Sequence, residues 1–458
     1  MELDKIDSVY FIGIGGIGMS AIARWFKQRG KRVAGYDRVK TSLTQSLEDE
    51  GIWIHYEDKV RAIPDTFKER EWCLIVYTPA VPADFGELVY FQKKDFTVMK
   101  RSEVLGVISK DHYCIAVGGT HGKTTTSSML AHILSKSEAG CSAFIGGIMT
   151  NTNSNLIIGE QDAPLVVEAD EFDRSFHRLF PNYAIVTSVD ADHLDIYGDE
   201  SQMKEAFGKF LQLVPEDGHL LVHYKAAEKV NTYLENLYFT YGIDQGDYQA
   251  RALRSIGGVF YFNYHGRRTI KDIALYVPGF HNVENCVAAI SVAIELEVPL
   301  ETIKEAVKSY RGVKRRFEFI LRQQDLVYID DYAHHPSEIT AFLRSVKSMY
   351  PNKKITTIFQ PHLYSRTKDF YLGFAESLDL SDEVILLDIY PARETPIPGV
   401  TSQMILDKMF TANRKIVAKE DIVADLEERD LDILVTIGAG DIDQLVPVIG
   451  NHFKKEEA

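Results

Sequence analysis

The stretch Val117-Gly-Gly-Thr-His-Gly-Lys-Thr-Thr-Thr126 decides how the rest of the chain is read. The apolar run Tyr113 to Val117 before it has the character of a buried strand, and Thr124 to Leu134 after it carries apolar residues at helical spacing. Strand, glycine turn and helix together make a phosphate-binding loop. Its backbone N–H groups and the positive end of the helix face an anion, Lys123 reaches the terminal phosphates, and the Thr124 hydroxyl is placed to ligate Mg²⁺. Gly-Lys-Thr alone is a weak pattern, and its context gives it weight against a chance turn. Five residues before Gly122 stands Val117 rather than glycine, so the usual Gly-x4-Gly-Lys-Thr spacing is not met and the loop is a variant.

Around this loop lie 458 residues, too many for one ordinary core and enough for about three domains. A hydrophobic share of 45% and a charged share of 26% suit a globular enzyme, while a formal net charge of -15 argues against a nucleic-acid partner. Cys73, Cys114, Cys141 and Cys286 are scattered and form no Cys-x-x-Cys pair, so neither a zinc knuckle nor a disulfide framework is expected. Glu2, Asp4 and Asp7 are unlike a secretory signal, and no apolar run is long enough for a bilayer. The expectation is a cytoplasmic protein without a membrane partner.

Upstream, Val9 to Ile14 reads as a strand leading into Gly13-Ile-Gly-Gly-Ile-Gly18 and a helical stretch, Met19 to Lys27. A second strand, Arg32 to Tyr36, closes on Asp37, nineteen residues beyond Gly18. This is the pattern of a dinucleotide-binding unit, in which Gly15, Gly16 and Gly18 let the backbone approach a diphosphate and Asp37 accepts a ribose hydroxyl. The bland alternative is a tight turn with no ligand. A further strand, Trp72 to Tyr77, delivers Thr78-Pro79-Ala80 where open α/β sheets place ligands. Residues 1–109 are therefore expected to form a first domain that holds a nucleotide diphosphate.

The second domain, 110–313, contains the phosphate loop. The strand from Pro164 ends in Glu168-Ala-Asp-Glu171, and the one from Tyr183 to Val189 ends in Asp190-Ala-Asp192-His193-Leu-Asp195. Parallel strands would bring both ends beside Lys123, where a hydrated Mg²⁺ needs hard oxygen ligands. A single acid here is more simply a solvated carboxylate, but Glu168 and His193 together read as site residues. Histidine is an odd ligand for Mg²⁺, and an acid-histidine cluster alone would point to Zn²⁺ or Mn²⁺. Val259 to Tyr264, followed by His265-Gly266, predicts an edge hairpin. Past Pro278-Gly279, a helix from Asn282 to Glu297 sets Asn282 and Asn285 on one face, and both an N-cap role and recognition of a purine edge stay open.

The third domain, 314–458, follows Arg315-Arg316. Its strands at Val327 to Ile329, Ile355 to Phe359, Val384 to Leu387 and Leu434 to Ile437 again end in polar groups. Among these, His334, His335, His362 and Arg366 are placed to surround a carboxylate or an amine.

Taken together these motifs resemble the Mur ligases over essentially the full length. Gly119-Thr120-His121-Gly122-Lys123-Thr124-Thr125 matches that family's shortened phosphate loop. Glu168-Ala-Asp-Glu171, Asp192-His193-Leu-Asp195, His281-Asn282 with Asn285, Arg315-Arg316, Asp330-Asp331-Tyr-Ala-His334-His335-Pro336 and Gln360-Pro-His362 follow in the family's order. The Gly-x-Gly-Gly-x-Gly turn, the Asp-Asp-Tyr-Ala-His-His-Pro segment and Tyr390-Pro-Ala-Arg-Glu-Thr-Pro-Ile-Pro-Gly399 are similar to its alanine-adding branch. The resemblance implies an α/β fold of three domains: a Rossmann-like N-terminal domain, a central P-loop ATPase-type domain and a Rossmann-like C-terminal domain. It implies UDP-N-acetylmuramate on the first, ATP with Mg²⁺ on the second and L-alanine on the third. The activity implied is joining alanine to the lactyl carboxylate through an acyl phosphate in peptidoglycan precursor synthesis, by a monomer or homodimer.

On that template the loop from Gly119 to Thr125 holds ATP, with Lys123 on the β and γ phosphates. Thr124 and Glu168 bind one Mg²⁺ and His193 helps bind a second. Asn282 and Asn285 contact the adenine side, Arg316 and Asp331 reach over the nucleotide, and His334, His362 and Arg366 serve the amino acid and lactyl end. Two departures stand out. The carbamylated lysine of several family branches has no counterpart, since the nearest lysine, Lys209, lies in Phe207-Gly-Lys-Phe210; this agrees with the alanine-adding branch. Leu363 stands where many members carry arginine, leaving Arg366 as the substitute. The competing readings are a recycling ligase that adds a tripeptide to the same sugar nucleotide, an NAD-dependent oxidoreductase, which leaves the Lys123 loop unexplained, and a non-enzymatic nucleotide-gated regulator.

Overall fold

A computed structural model describes residues 3–190, 197, 199–234, 237–392 and 394–455. Strands β1 (Ser8–Ile12), β2 (Arg32–Tyr36), β3 (Trp53–His55), β4 (Cys73–Tyr77) and β5 (Thr97–Lys100) form an all-parallel sheet in the order β3-β2-β1-β4-β5. All of β1 is buried, as the continuous apolar run of a strand covered on both faces requires. It stops at Ile12, two residues earlier than its apolar run, because the N–H groups of Gly13 and Ile14 both turn to the Tyr36 carbonyl. Helices α1 (Ile17–Gln28), α2 (Ser42–Asp49), α3 (Gly86–Lys93) and α4 (Arg101–Lys110) connect the strands. The strand order reverses between β1 and β4, so the glycine turn and Thr78 meet there: a Cβ on Gly13 would lie 2.7 Å from the Thr78 methyl.

The second sheet contains β6 (Cys114–Gly118), β7 (Ser142–Met149), β8 (Ser154–Ile157), β9 (Leu165–Ala169), β10 (Tyr183–Val186), β11 (His219–His223), β12 (Tyr238–Ile243), β13 (Tyr248–Ile256), β14 (Val259–His265) and β15 (Thr269–Leu275). Their order is β15-β14-β13-β12-β11-β10-β6-β9-β7-β8, so the Val259 strand β14 forms the expected hairpin at one side of the sheet, with β15 as the edge strand. The phosphate-loop strand β6 lies between β9 and β10, parallel to both, with Val117 opposite Glu168 and Gly118 opposite Val186. Helix α5 (Lys123–Ser135) follows the loop. The third sheet, β16 (Glu318–Arg322), β17 (Val327–Asp331), β18 (Ile355–Phe359), β19 (Glu383–Leu386), β20 (Asn413–Ile416) and β21 (Ile433–Ile437), has the order β16-β17-β21-β18-β19-β20 and is parallel except for β16.

The chain forms two compact units, one of residues 1–251, 263–273 and 284–310 and one of residues 252–262, 274–283 and 311–458. Within the first unit a single hydrophobic core runs from Phe11, Trp25 and Phe26 to Phe144, Leu156 and Val186, so the first two sheets share their interior. A buried polar seam crosses it. Arg24 donates to Glu50 at 2.6 Å and to the Asn155 carbonyl at 2.6 Å, and the Asn155 amide donates to Ile17 O at 2.6 Å and Ser20 Oγ at 2.9 Å. The seam joins Ile17, Ser20 and Arg24 of α1 to residues 50 and 155, far along the chain. Such a network holds α1 against β8 in one register.

Candidate active site

Gly119 and Gly122 have φ of +139° and +84°, a region side chains avoid, and Gly122 is the N-cap of α5. A Cβ on Gly119 would sit 2.0 Å from Thr187 Oγ1. The loop is pinned from β10. Thr120 N–H donates to Ser188 O at 3.1 Å, His121 N–H to Ser188 Oγ at 2.8 Å, Asp190 N–H to Thr120 Oγ1 at 3.0 Å, and the Thr187 hydroxyl to Gly118 O at 3.2 Å. For this reason β10 ends at Val186 rather than at the expected Val189: the next two residues leave the sheet to brace the loop. Thr187 and Ser188 are site residues the sequence reading passed over, and their only signal is a hydroxyl pair interrupting an apolar run.

Lys123 Nζ donates to Gly119 O at 2.5 Å and lies 2.7 Å from a carboxylate oxygen of Glu171. Burial pulls its ammonium down, but the carboxylates of Glu171, Asp170 and Glu168 push it up by more, so Lys123 stays charged. Glu171 is itself buried, and burial lifts its carboxyl to about 7 against the pull of Lys123. It was missed as the partner of Lys123 because 48 residues separate them.

Thr124 Oγ1 hydrogen-bonds directly to Glu168 Oε1. A Cβ on Gly146, in β7, would fall 1.8 Å from Glu168 Oε2, so the bare glycine makes the room that this carboxylate occupies. Two hard oxygens converging beside a phosphate loop fit a hydrated divalent cation such as Mg²⁺. Among the described residues no group of three or more His, Cys, Asp or Glu side chains is arranged to hold a metal. His193, the second expected ligand, lies outside the described residues, with Asp192 and Asp195. Asp190 is tied to Lys229 at 2.7 Å.

The two asparagines face inward. Asn282 is buried and its amide donates to Pro278 O at 2.6 Å; the helix begins at Phe280, so Asn282 sits in its first turn and not at its N-cap. Asn285, also buried, accepts from Thr126 Oγ1 at 3.1 Å and so braces α5. Thr125 is buried in the first turn of that helix.

In the first sheet Gly15, Gly16, Gly18, Asp37 and Thr78 gather at the ends of β1, β2 and β4, and Pro79 and Ala80 follow as exposed residues. Asp37 is held by the glycine turn itself. One carboxylate oxygen accepts from Gly15 N–H at 2.7 Å and the other from Val39 N–H at 3.2 Å, so in this structure the acid closes the turn.

The second unit carries the remaining candidates. Arg315 donates to Asp330 at 3.2 Å and to Gly438 O at 2.6 Å, and both Arg315 and Arg316 stand 5.1 Å from the centre of the Tyr332 ring. Asp331 is buried, with its two oxygens accepting from Phe317 N–H at 2.7 Å and Ala333 N–H at 2.8 Å, and burial lifts its carboxyl to about 7. It supports a turn here instead of presenting a carboxylate outward. His334 and His362 do come together, with ring centres 6.3 Å apart, and His362 stacks on Tyr390 at 5.8 Å. Burial and then the charge of Arg366 lower the His362 ring to about 4, so it is neutral near pH 7. His335 is a helix cap, its Nδ1 accepting from Ser337 N–H at 3.3 Å. Leu363 takes φ of +69° at the start of the helix Tyr364–Leu378.

Family models match the chain in three consecutive blocks: Mur ligase family, catalytic domain, over residues 8–113; Mur ligase middle domain over 117–293; and Mur ligase, glutamate ligase domain, over 315–440. The chain is 49% identical over 450 residues to the UDP-N-acetylmuramate--L-alanine ligase of Flavobacterium johnsoniae, covering 98% of each. Its fold matches the crystal structure of UDP-N-acetylmuramate-alanine ligase from Thermotoga maritima with a TM-score of 0.83 at 29% identity, over 97% of this chain and 99% of that one. It also matches a murein peptide ligase from Psychrobacter arcticus, TM-score 0.69 at 22% identity over 98% and 100% of the two chains, a likeness of fold alone.

Proposed function

The chain belongs to the Mur ligase family, and from that membership together with the site geometry we infer its reaction. It is an ATP-dependent ligase that joins L-alanine to the lactyl carboxylate of UDP-N-acetylmuramate, a step of peptidoglycan precursor synthesis. The braced loop Gly119 to Thr125, in a chain that aligns end to end with alanine ligases, carries this conclusion.

A carboxylate is a poor acylating agent, so it is first converted to a mixed anhydride. The lactyl carboxylate attacks the γ-phosphate in line, ADP leaves, and the alanine amine then attacks the acyl phosphate and expels phosphate. Both partners of the first step are anions. Lys123, kept charged by Glu171, and the N–H groups opening α5 offset that repulsion and stabilise charge on the transferring group. Thr124 and Glu168 would hold Mg²⁺, which when bound neutralises phosphate charge. We assign Arg366 to the carboxylate of alanine. His362, neutral and stacked, is suited to hydrogen bonding rather than to carrying charge.

We place the reaction in the cytoplasm, where ATP is available; no helix among the described residues is long and apolar enough to cross a membrane. The test is phosphate release with UDP-N-acetylmuramate and L-alanine, L-serine, glycine or a murein tripeptide in turn. Release strictly dependent on L-alanine is expected. Release without any acceptor, or preference for the tripeptide, would overturn the assignment, and binding of NADH would revive an oxidoreductase reading.

A further inference from the structure

The glycine turn after β1 has fewer open donors than its sequence promises. The N–H groups of Gly13 and Ile14 go to Tyr36 O at 2.8 and 3.0 Å, that of Gly15 to the Asp37 carboxylate at 2.7 Å, and that of Gly16 to Gly13 O at 3.3 Å. What remains for an anion is the first turn of α1, whose N–H groups have no intrahelical acceptor. That turn, Ile17-Gly-Met-Ser20, contains no basic residue, and Asp37 brings a negative charge up to it. A nucleotide diphosphate carries at least two negative charges, so this turn is short of positive charge for its ligand.

One cation stands in the right place. Arg101 opens α4 at the end of β5, and a Cβ on Gly18 would lie 2.6 Å from its Nη1, 3.2 Å from Cδ and 3.3 Å from Cζ. Its guanidinium therefore fills the space that a side chain at Gly18 would take. On its other edge Nη2 donates to Asp170 Oδ2 at 2.9 Å, while Asp170 Oδ1 accepts from Phe172 N–H at 3.0 Å and is fixed in turn. A guanidinium offers five donors, and Asp170 accepts from only one edge of the fork. Nothing local points to this pairing, because Gly18 and Arg101 are 83 positions apart in the chain.

We propose that Arg101, tethered by Asp170, is the cationic ligand of the sugar nucleotide's diphosphate. This rests on the reaction assigned above and adds a substrate-binding residue to it. Asp170 adjoins Glu171, the partner of Lys123, so the same tether fixes the diphosphate in register with the ATP loop.

The experiment is calorimetric binding of UDP-N-acetylmuramate, UDP and UMP to the wild-type chain and to R101A and R101K, with steady-state kinetics on each. R101A should weaken UDP and UDP-N-acetylmuramate by about 10- to 100-fold, the cost of losing a charge-assisted hydrogen-bond pair, and UMP by less. R101K should recover part of the loss, and the KM for ATP should stay within about twofold. If R101A does not fold, R101Q serves in its place, keeping the length of the side chain without its charge. A folded R101A that binds UDP as tightly as wild type overturns the proposal, as does an equal loss for UDP and UMP, which a merely structural salt bridge would give. A wild-type chain that binds no uridine nucleotide defeats the assigned reaction itself, and this proposal with it.

Discussion

Replacing Gly146 by alanine tests the cation site without touching any group that reacts. The new Cβ would lie 1.8 Å from Glu168 Oε2 and 2.7 Å from its Cδ, where ordinary contact begins near 3.4 Å. The carboxylate must retreat by more than an ångström. That breaks its hydrogen bond to Thr124 and separates the two oxygens proposed to hold the cation. A displacement of about 1 Å at a reacting centre costs on the order of 10²-fold in rate. The Mg²⁺ concentration giving half-maximal phosphate release should rise by at least about tenfold, roughly 1.4 kcal/mol of lost binding. Mn²⁺ binding in the presence of ATP, followed by electron paramagnetic resonance, should weaken in parallel, and this second readout does not depend on turnover. A folded Gly146→Ala chain with the wild-type Mg²⁺ midpoint and Mn²⁺ affinity would refute the placement of Glu168.

Lys123→Ala should cut ADP formation by about 10³-fold or more while UDP-N-acetylmuramate binding by calorimetry stays nearly intact; retained ATP turnover would remove the phosphate-loop assignment. Ser188→Ala deletes the acceptor for His121 N–H, and a rise of several-fold in the KM for ATP with little change in melting temperature is expected. Arg24→Met leaves the buried Asn155 carbonyl without its donor, while Glu50 at the surface stays solvated, and should destabilise the chain by about 1–3 kcal/mol, read by denaturant unfolding. The His362 ring, lowered to about 4 from an ordinary 6.5, binds fewer protons folded than unfolded. Its contribution is therefore complete above about pH 6.5 and is lost as pH falls toward 4, on the order of 3 kcal/mol at most. Unfolding midpoints of wild type and His362→Asn should converge at low pH, and parallel curves from pH 4 to 8 would contradict that linkage.

What the sequence disclosed well was local. The apolar runs of β1, β6 and β18, and the glycines that end the first two, are set by neighbours a few residues away, so strand, turn and helix could be read in sequence order. Asp37 was located, but the spacing that suggests a ribose contact did not disclose its bond to Gly15 N–H. Asp331 was likewise located, yet burial and two backbone donors make it a support for its turn. Glu171 was named only as one of the acids at a strand end, and Gly146, Ser188 and Arg101 were invisible, because each acquires its role from a partner tens of residues distant. For Gly146 the informative feature is an absent side chain, whose meaning depends wholly on what lies opposite.

The common interior of the first two sheets sets a limit on how the protein can be divided. A fragment ending at Lys110 would uncover Trp25, now 4% exposed, and strand the Arg24 guanidinium without the Asn155 carbonyl. The N-terminal sheet therefore cannot be lifted out as a stand-alone sensor or crystallisation target. Any usable excision has to keep the chain through Val230, where that core ends, carrying the phosphate loop along with it.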